Sequence, residues 1–187
     1  MIAALVGVPE WDVLMVGDGS GTGGWRMAGG WACVTIERQT DHRSLCWAAW
    51  STCDIHIAEL SAYLQAMIEF DQLRAKDVRR QLGRPIRVLV VTDNQPIVMQ
   101  STNGLIGGRV GGSTNPIWAA LRQIVTANGI SMTFRFAPRR STMLNVLVDR
   151  VAERARKTIG TIERGCFRPR PSRLYVEDLS ALNPKGH

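Results

Sequence analysis

Ile86-Arg87-Val88-Leu89-Val90-Val91-Thr92-Asp93 (IRVLVVTD) is a nearly unbroken aliphatic run that stops on a carboxylate. A strand with one wet face alternates apolar and polar residues. A run apolar at consecutive positions suits a central strand covered on both faces, the pattern of parallel sheets packed between helices. Gly83-Arg84-Pro85 ahead of it stops a helix, and Pro96 to Gln100 behind it is compatible with a short one. A strand followed by a helix and a further strand implies a right-handed crossover. The chain is therefore expected to be α/β, with Asp93 at the carboxyl end of a buried central strand.

Working outward, Trp11 to Gly17 (WDVLMVG) reads as a buried strand ending at Asp18, with Gly19 to Gly24 as a loop. Trp31 to Glu37 and Ser44 to Trp50 are rich in β-branched and aromatic residues and flank polar turn material at Gln39 to Arg43. Three consecutive strands make an antiparallel meander. The period then changes: Ile57, Leu60, Leu64, Met67 and Ile68 recur at three and four residues, which predicts an amphipathic helix over about Ala58 to Leu82. Beyond the central strand, Gly104 to Thr114 reads as a flexible glycine-rich connection and Pro116 to Asn128 as a helix closed by Asn128-Gly129. Ser131 to Phe136 reads as a strand and Leu144 to Ile159 as a helix ending at Gly160. The plan is βββαβαβα, a five-stranded mixed sheet of three antiparallel and two parallel strands flanked by helices. It fills residues 1–160, and residues 161–187, rich in arginine and proline, are expected to form a basic C-terminal extension.

Composition narrows the function. At 187 residues and 45% hydrophobic, the chain can bury the core of one ordinary domain. The opening MIAALVGVPEW lacks a cationic leader and its apolar run is too short for a bilayer, so a cytoplasmic protein with no membrane partner is expected. Cys33, Cys46, Cys53 and Cys166 form no C-x-x-C pair, which argues for buried free thiols over zinc or a disulfide framework. The net charge of +7 is carried by arginine, since only Lys76, Lys157 and Lys185 are lysines. A rigid fork of donors suits phosphate, and nucleic acid is a natural partner for such a surface.

Four acids fall where side chains of this plan could converge. Asp18 and Asp93 end strands, Glu59 begins the first long helix and Asp149 lies inside the last. Taken singly, each has an ordinary role in a turn, a cap or a solvated helix face. Jointly they point elsewhere, because Asp93 follows aliphatic residues and Asp149 is set among Val146, Leu147, Val148, Val151 and Ala152. Clustered carboxylates repel and persist where cations neutralise them, and oxygen ligands alone favour magnesium or manganese over zinc.

Those residues sit in segments with a further pattern. VGDGSGTGG with GGWACV after it resembles the first hairpin of the type 1 ribonucleases H, and HIAELSAYLQAMIEF resembles that family's R-A-E-L-x-A helix. VLVVTDNQPIV is similar to its Y-T-D-S-Q strand end; NPIWAALRQIV, ISMTFRFAP and LNVLVDRVAERAR resemble its closing helix, strand and N-x-x-x-D-x-L-A helix. The likeness runs in order from about Trp11 to Lys157. It implies a ribonuclease H-like fold in which Asp18, Glu59, Asp93 and Asp149 hold two magnesium ions, with manganese as a substitute. The implied activity is endonucleolytic hydrolysis of the RNA strand of an RNA/DNA hybrid by in-line attack, leaving a 5′ phosphate and a 3′ hydroxyl. It also places Gly19 and Ser20 against the RNA strand and Gln95 in the hybrid minor groove, where 2′-hydroxyls distinguish RNA from DNA. Asn145 would fix the loop before the last helix. The expected form is a monomer.

The chain departs from the family at several points. Arg139, followed by Arg140, stands where the family often carries a mobile histidine; arginine cannot shuttle a proton near neutral pH, so its expected role is to bind phosphate. Ile55 and His56 replace two asparagines, and Gly104 to Thr114 supplies only Arg109 where a lysine-rich protrusion often stands. Hybrid grip would then come from Arg79, Arg80 and Arg84, or from Arg164, Arg168, Arg170 and Arg173. Trp25 and Trp31 could stack on bases or sugars. Two alternatives stay open: a DNA nuclease or junction resolvase of the same fold, and a non-catalytic nucleic-acid-binding module.

Overall fold

The computed structural model describes residues 10–21, 29–50, 54–108, 110, 114–159 and 175–178. Strands β1 (Val13–Gly21), β2 (Gly29–Glu37) and β3 (Arg43–Trp50) form the expected meander. Helix α1 (Ile55–Phe70) passes through a π-helical turn (Asp71–Ala75) into α2 (Lys76–Leu82), and β4 (Ile86–Thr92) follows. Then come α3 (Gln95–Ile106), α4 (Asn115–Ala127), β5 (Ile130–Phe136), α5 (Met143–Ile159) and β6 (Tyr175–Asp178). No helix among the described residues is long and apolar enough to cross a membrane.

The strands lie in the order β5-β4-β1-β2-β3-β6, with β4 parallel to both β1 and β5 and the remaining neighbours antiparallel. The five expected strands are all present. A sixth was not foreseen: Tyr175–Asp178 pairs antiparallel with β3, and Trp47 Nε1 donates to Glu177 Oε1 at 3.1 Å. Four residues carry too little periodicity to announce a strand, and their partner, the open edge of β3, exists only once the meander has formed.

Side chains alternate across β1 and so divide the core. Val13 and Met15 join Leu60, Tyr63, Met67, Trp118 and Phe134 under α1 and α4, whereas Leu14 and Val16 join Trp11, Val148 and Ala152 under α5. A strand buried on both faces must be apolar at consecutive positions, which is why β1 and β4 lack a polar stripe. Cys33 and Cys46 are buried and free; Cys53 and Cys166 lie outside the described residues, as do Trp25, Arg109 and the tail arginines.

Three boundaries differ from expectation for the same reason, which is close packing. β1 continues through Gly19 to Gly21 in place of looping, and a Cβ on Gly19 would lie 2.6 Å from the Glu59 backbone nitrogen. Helix α3 runs through Gly104, whose bare backbone lies on the Trp118 indole. The long first helix is broken by the π turn, where Arg74 Nε and a terminal nitrogen bond both oxygens of buried Glu37 at 2.7 and 2.9 Å.

Gly30 shows the tightest such contact. An added Cβ would stand 2.2 Å from the Ala152 carbonyl oxygen and 2.4 Å from the Arg156 nitrogen, both backbone atoms that cannot swing aside. Gly30→Ala is therefore expected to destabilise the protein by about 3 kcal/mol through forced separation of α5 from β2. Thermal denaturation should show a fall of roughly 6–12 °C; an unchanged transition would mean that α5 does not rest on β2.

Candidate metal centre

The sheet register brings the two strand-end aspartates together. Val16 pairs with Val91 across the parallel β1–β4 ladder, so continuing two residues sets Asp18, within β1, level with Asp93, just past the end of β4. Asp18 lies inside β1, one residue beyond Gly17, whose carbonyl accepts the Tyr63 hydroxyl at 2.9 Å. Glu59 comes from the first turns of α1, which rests directly on Gly19. The helix starts where it does because Asp54 caps it, accepting from the His56 N–H at 2.7 Å.

Asp18, Glu59 and Asp93 each offer a carboxylate oxygen, and these oxygens all lie within 4.8 Å of one another. Asp18 and Glu59 are buried, and Asp93 is partly so. Among the described residues Asp18 meets one donor, the Gly19 N–H at 2.7 Å. Glu59 is held at both oxygens: the Thr92 hydroxyl donates to Oε1, and Asn94 Nδ2 donates to Oε2 at 2.9 Å. Asn94 also caps α3 and lies 2.8 Å from His56 Nδ1.

Asp149 reaches the same end of the sheet but is held differently. Its Oδ1 accepts from Arg139 at 2.7 Å and its Oδ2 from Arg140 at 3.1 Å. Arg139 Nε also stands 4.0 Å from Asp93 Oδ2, so one guanidinium lies between two of the acids. Arg140 adopts a left-handed backbone (φ 57°), a conformation that costs a non-glycine residue about 1 kcal/mol and turns its side chain back toward α5. Ahead of α5 the Thr142 hydroxyl donates to Asn145 Oδ1 at 2.5 Å and accepts from the Asn145 N–H, which anchors the arginine loop to the helix.

The electrostatics divide along the same line. Burial pushes Asp18 up to about 8, reinforced by the charges of Glu59, Asp93 and Asp149. Burial likewise raises Glu59 to about 7 against the lowering effect of its hydrogen bonds from Thr92 and Asn94. Asp93 is raised by burial, with Arg139 pulling the other way. Burial would raise Asp149 too, but the hydrogen bonds from Arg139 and Arg140 outweigh it and hold this carboxyl below its ordinary range. Asp18 and Glu59 thus face each other with no cation beside them, Asp93 has one guanidinium at 4.0 Å, and Asp149 is bonded to two. An all-oxygen set in which two groups resist ionisation is what a hard divalent cation would relieve, so the residues fit magnesium or manganese.

The remaining sequence-derived candidates are dispersed. Gly19 and Ser20 stay in β1; Ser20 Oγ accepts from Arg156 Nε at 2.9 Å. Gln95 is exposed at the first position of α3, next to the centre along the chain. Trp31 is buried in the core, which excludes stacking on a base. Arg79, Arg80 and Arg84 lie where α2 leads into the start of β4, the pole of the sheet opposite Asp93. They are paired with the Asn128 carbonyl, Asp77 and Asp12 respectively. A seven-residue strand, about 23 Å long, separates that pole from the carboxylates, so these arginines do not lie beside the centre. Sequence reasoning passed over Thr92, Asn94 and Arg156 and treated His56 only as the replacement of a family asparagine. A T-D-N triplet opening a helix is the cap pattern that could have drawn attention to Asn94.

No protein-family model matches this chain, and no curated protein does. Solved structures do. LC11-RNase H1, isolated from compost by a metagenomic approach, aligns in its complex with an RNA/DNA hybrid at TM-score 0.62 and 17% identity, over 80% of this chain and 99% of that one. A foamy viral protease-reverse transcriptase structure with dsDNA aligns at 0.59 and 17% identity, over 80% and 96%. RNase H1 from the halophilic archaeon Halobacterium salinarum NRC-1 aligns at 0.54 and 16% identity, over 78% and 98%. The chain has a ribonuclease H-like fold.

The charge pattern has a consequence for stability. Asp18 and Glu59 bind protons more tightly folded than unfolded, so between the ordinary carboxylate range and about pH 8 the folded state carries more protons and stability falls as pH rises. Asp149, shifted the other way, acts only below that window. In chelator, the protein should melt at a lower temperature at pH 8 than at pH 5, and Asp18→Asn should raise the pH 8 value. Magnesium should stabilise the parent at pH 8 and help Asp18→Asn little. A metal-free Asp18→Asn protein that melts below the parent at pH 8 would contradict unmet repulsion at this cluster.

Proposed function

We propose that the protein is a magnesium-dependent endonuclease that hydrolyses the RNA strand of RNA/DNA hybrids, leaving a 5′ phosphate and a 3′ hydroxyl. The observation that carries this reading is the convergence of Asp18, Glu59 and Asp93 within 4.8 Å from two adjacent strands and the first turns of a helix, with Asp149 beside them. The fold shared with LC11-RNase H1, itself solved with an RNA/DNA hybrid, supports the substrate class.

Asp18, Glu59 and Asp93 would hold the cations, with Asp149 joining them as Arg139 and Arg140 turn to substrate phosphate. When bound, paired magnesium ions supply Lewis acidity for in-line attack on a phosphodiester. The protein's own part is to present ligands that do not need to reorganise. Thr92 and Asn94 fix the Glu59 carboxylate, and Tyr63 ties the carbonyls of Gly17 and Val91, so the two strand ends keep their spacing. Arg139 and Arg140 both hydrogen-bond Asp149, so in this chain two guanidinium groups bind charge where a histidine would move protons. Gly19 is buried against α1, Ser20 is partly buried and Gln95 is exposed at the start of α3; their assignment to substrate rests on the family resemblance.

One observation favours a different substrate within the same chemistry. The positions that resemble the family's asparagines are an exposed Ile55 and a His56 engaged with Asn94, which leaves fewer amide contacts for an RNA strand. A nuclease of this fold acting on DNA would tolerate that change.

A labelled RNA/DNA hybrid with magnesium, alongside double-stranded DNA, double-stranded RNA and a four-way junction, separates these readings. Cleavage of the hybrid alone is expected. Asp93→Asn removes one negative ligand at nearly constant volume and should lower the rate by at least about 100-fold with an unchanged fold. Near-normal activity of that variant in saturating magnesium would refute the site. Cleavage confined to DNA or the junction would move the function to the second reading, and binding without cleavage would leave a non-catalytic module.

A further inference from the structure

Arg156 is a basic residue near the carboxylate centre that neither composition nor motif singled out. Alternation along β1 sends Gly17 and Gly19 toward α1, where added Cβ atoms would strike Tyr63 and Glu59. Asp18 and Ser20 therefore face α5. On α5, Asp149 and Arg156 are seven residues apart, about two turns, and so share one face. That face meets β1 twice over: Asp149 lies near Asp18, and Arg156 Nε donates to Ser20 Oγ at 2.9 Å.

The placement of Arg156 is rigid. Gly30 is the cross-strand partner of Ser20, and its bare backbone admits the Arg156 backbone at a separation no side chain would permit. The side chain is largely buried, 22% exposed. Its nearest acid, Glu153, is 4.0 Å away, outside hydrogen-bond range, and that carboxylate is bound at 2.8 Å by Lys157. The fixed guanidinium thus has one nitrogen committed to Ser20 and two terminal nitrogens without a hydrogen-bond acceptor among the described residues. A packed helix–strand contact needs only apolar atoms; a part-buried guanidinium held with two nitrogens open is placed to bind an anion.

We infer that Ser20 and Arg156 form a phosphodiester-binding subsite that holds the polynucleotide strand next to the carboxylate centre. The inference rests on the nuclease reading and adds a contact to it. Ser20 is two residues beyond Asp18, about 6.6 Å along the strand, a separation comparable to that of successive phosphates. Arg156 would therefore take the phosphate neighbouring the one at the carboxylates and set the strand's register on them, acting as a positioning residue.

The test measures equilibrium binding of a fluorescein-labelled RNA/DNA hybrid, and of double-stranded DNA of the same sequence, in chelator across a salt series. Each phosphate contact contributes about 0.9 to the slope of log affinity against log salt, so Arg156→Gln should flatten the slope by about that amount. Ser20→Ala removes the tether and keeps the cation, so it should weaken binding at every salt concentration while the slope changes by less than in Arg156→Gln. Equal slopes for the parent and Arg156→Gln would overturn the subsite, as would a parent that binds neither duplex. Should Arg156→Gln lose its fold, the parent itself is read by NMR, with the Arg156 Nε–H signal identified by its absence in Arg156→Lys. A signal that moves on adding hybrid supports the contact; one that stays overturns it. The two levels separate cleanly: a flattened slope on both duplexes without hybrid cleavage keeps the subsite and removes the hybrid-nuclease reading. Hybrid cleavage with an unchanged slope does the reverse.

Discussion

Repulsion among buried carboxylates is the constraint around which this molecule is arranged. Asp18, Glu59 and Asp93 are brought within 4.8 Å by three separate elements, and none of the three has a cation bonded to it at hydrogen-bond distance among the described residues. Such an arrangement opposes folding and survives because the surrounding packing overrules it. Bare glycine backbone lets α1 lie on β1, the Tyr63 hydroxyl bridges the β1 and β4 carbonyls, and Thr92 and Asn94 hold Glu59 in place. Stability given up at one end of the sheet is recovered in the two apolar layers beneath it.

The basic charge of the chain looks different once its partners are visible. Arg43, Arg74, Arg80, Arg84 and Arg87 all pair with acids of the same chain, most of them far from the carboxylate centre. A guanidinium already bound bidentately to a carboxylate, as Arg84 is to Asp12, offers little to a phosphate. The arginines that matter near the centre are Arg139 and Arg140, which neutralise Asp149, and Arg156, which lies fixed beside Ser20. Net charge thus counted the arginines without showing which of them are already paired.

Most of the fold was legible because it rests on local patterns. The consecutive aliphatic residues of IRVLVVT, the change of period at Ile57 and the strand-rich runs of the meander each announce their element within a dozen residues. The failures were glycines and short strands. Gly19 and Gly104 carry a turn-like composition, yet each sits in a regular element because another backbone or an indole lies against it, and a sequence does not display its distant neighbours. Tyr175–Asp178 became a strand only because β3 offers it an open edge.

What the sequence by itself determined was the element that carries each of the four acids, since periodicity and caps announce elements; Asp18, expected to end its strand, lies inside β1, which runs on to Gly21. What only the tertiary structure decided was how those acids divide: three face one another, and Asp149 is turned over to two arginines. The same is true of Asn94 and Arg156, whose partners lie 35 and 136 residues away in the chain. The physical reason is range. Periodicity and capping act over a few residues, but the field at a carboxylate is set by whatever folding places within a few ångströms of it, and that depends on the register of β1 on β4 and the seating of α5 on Gly30.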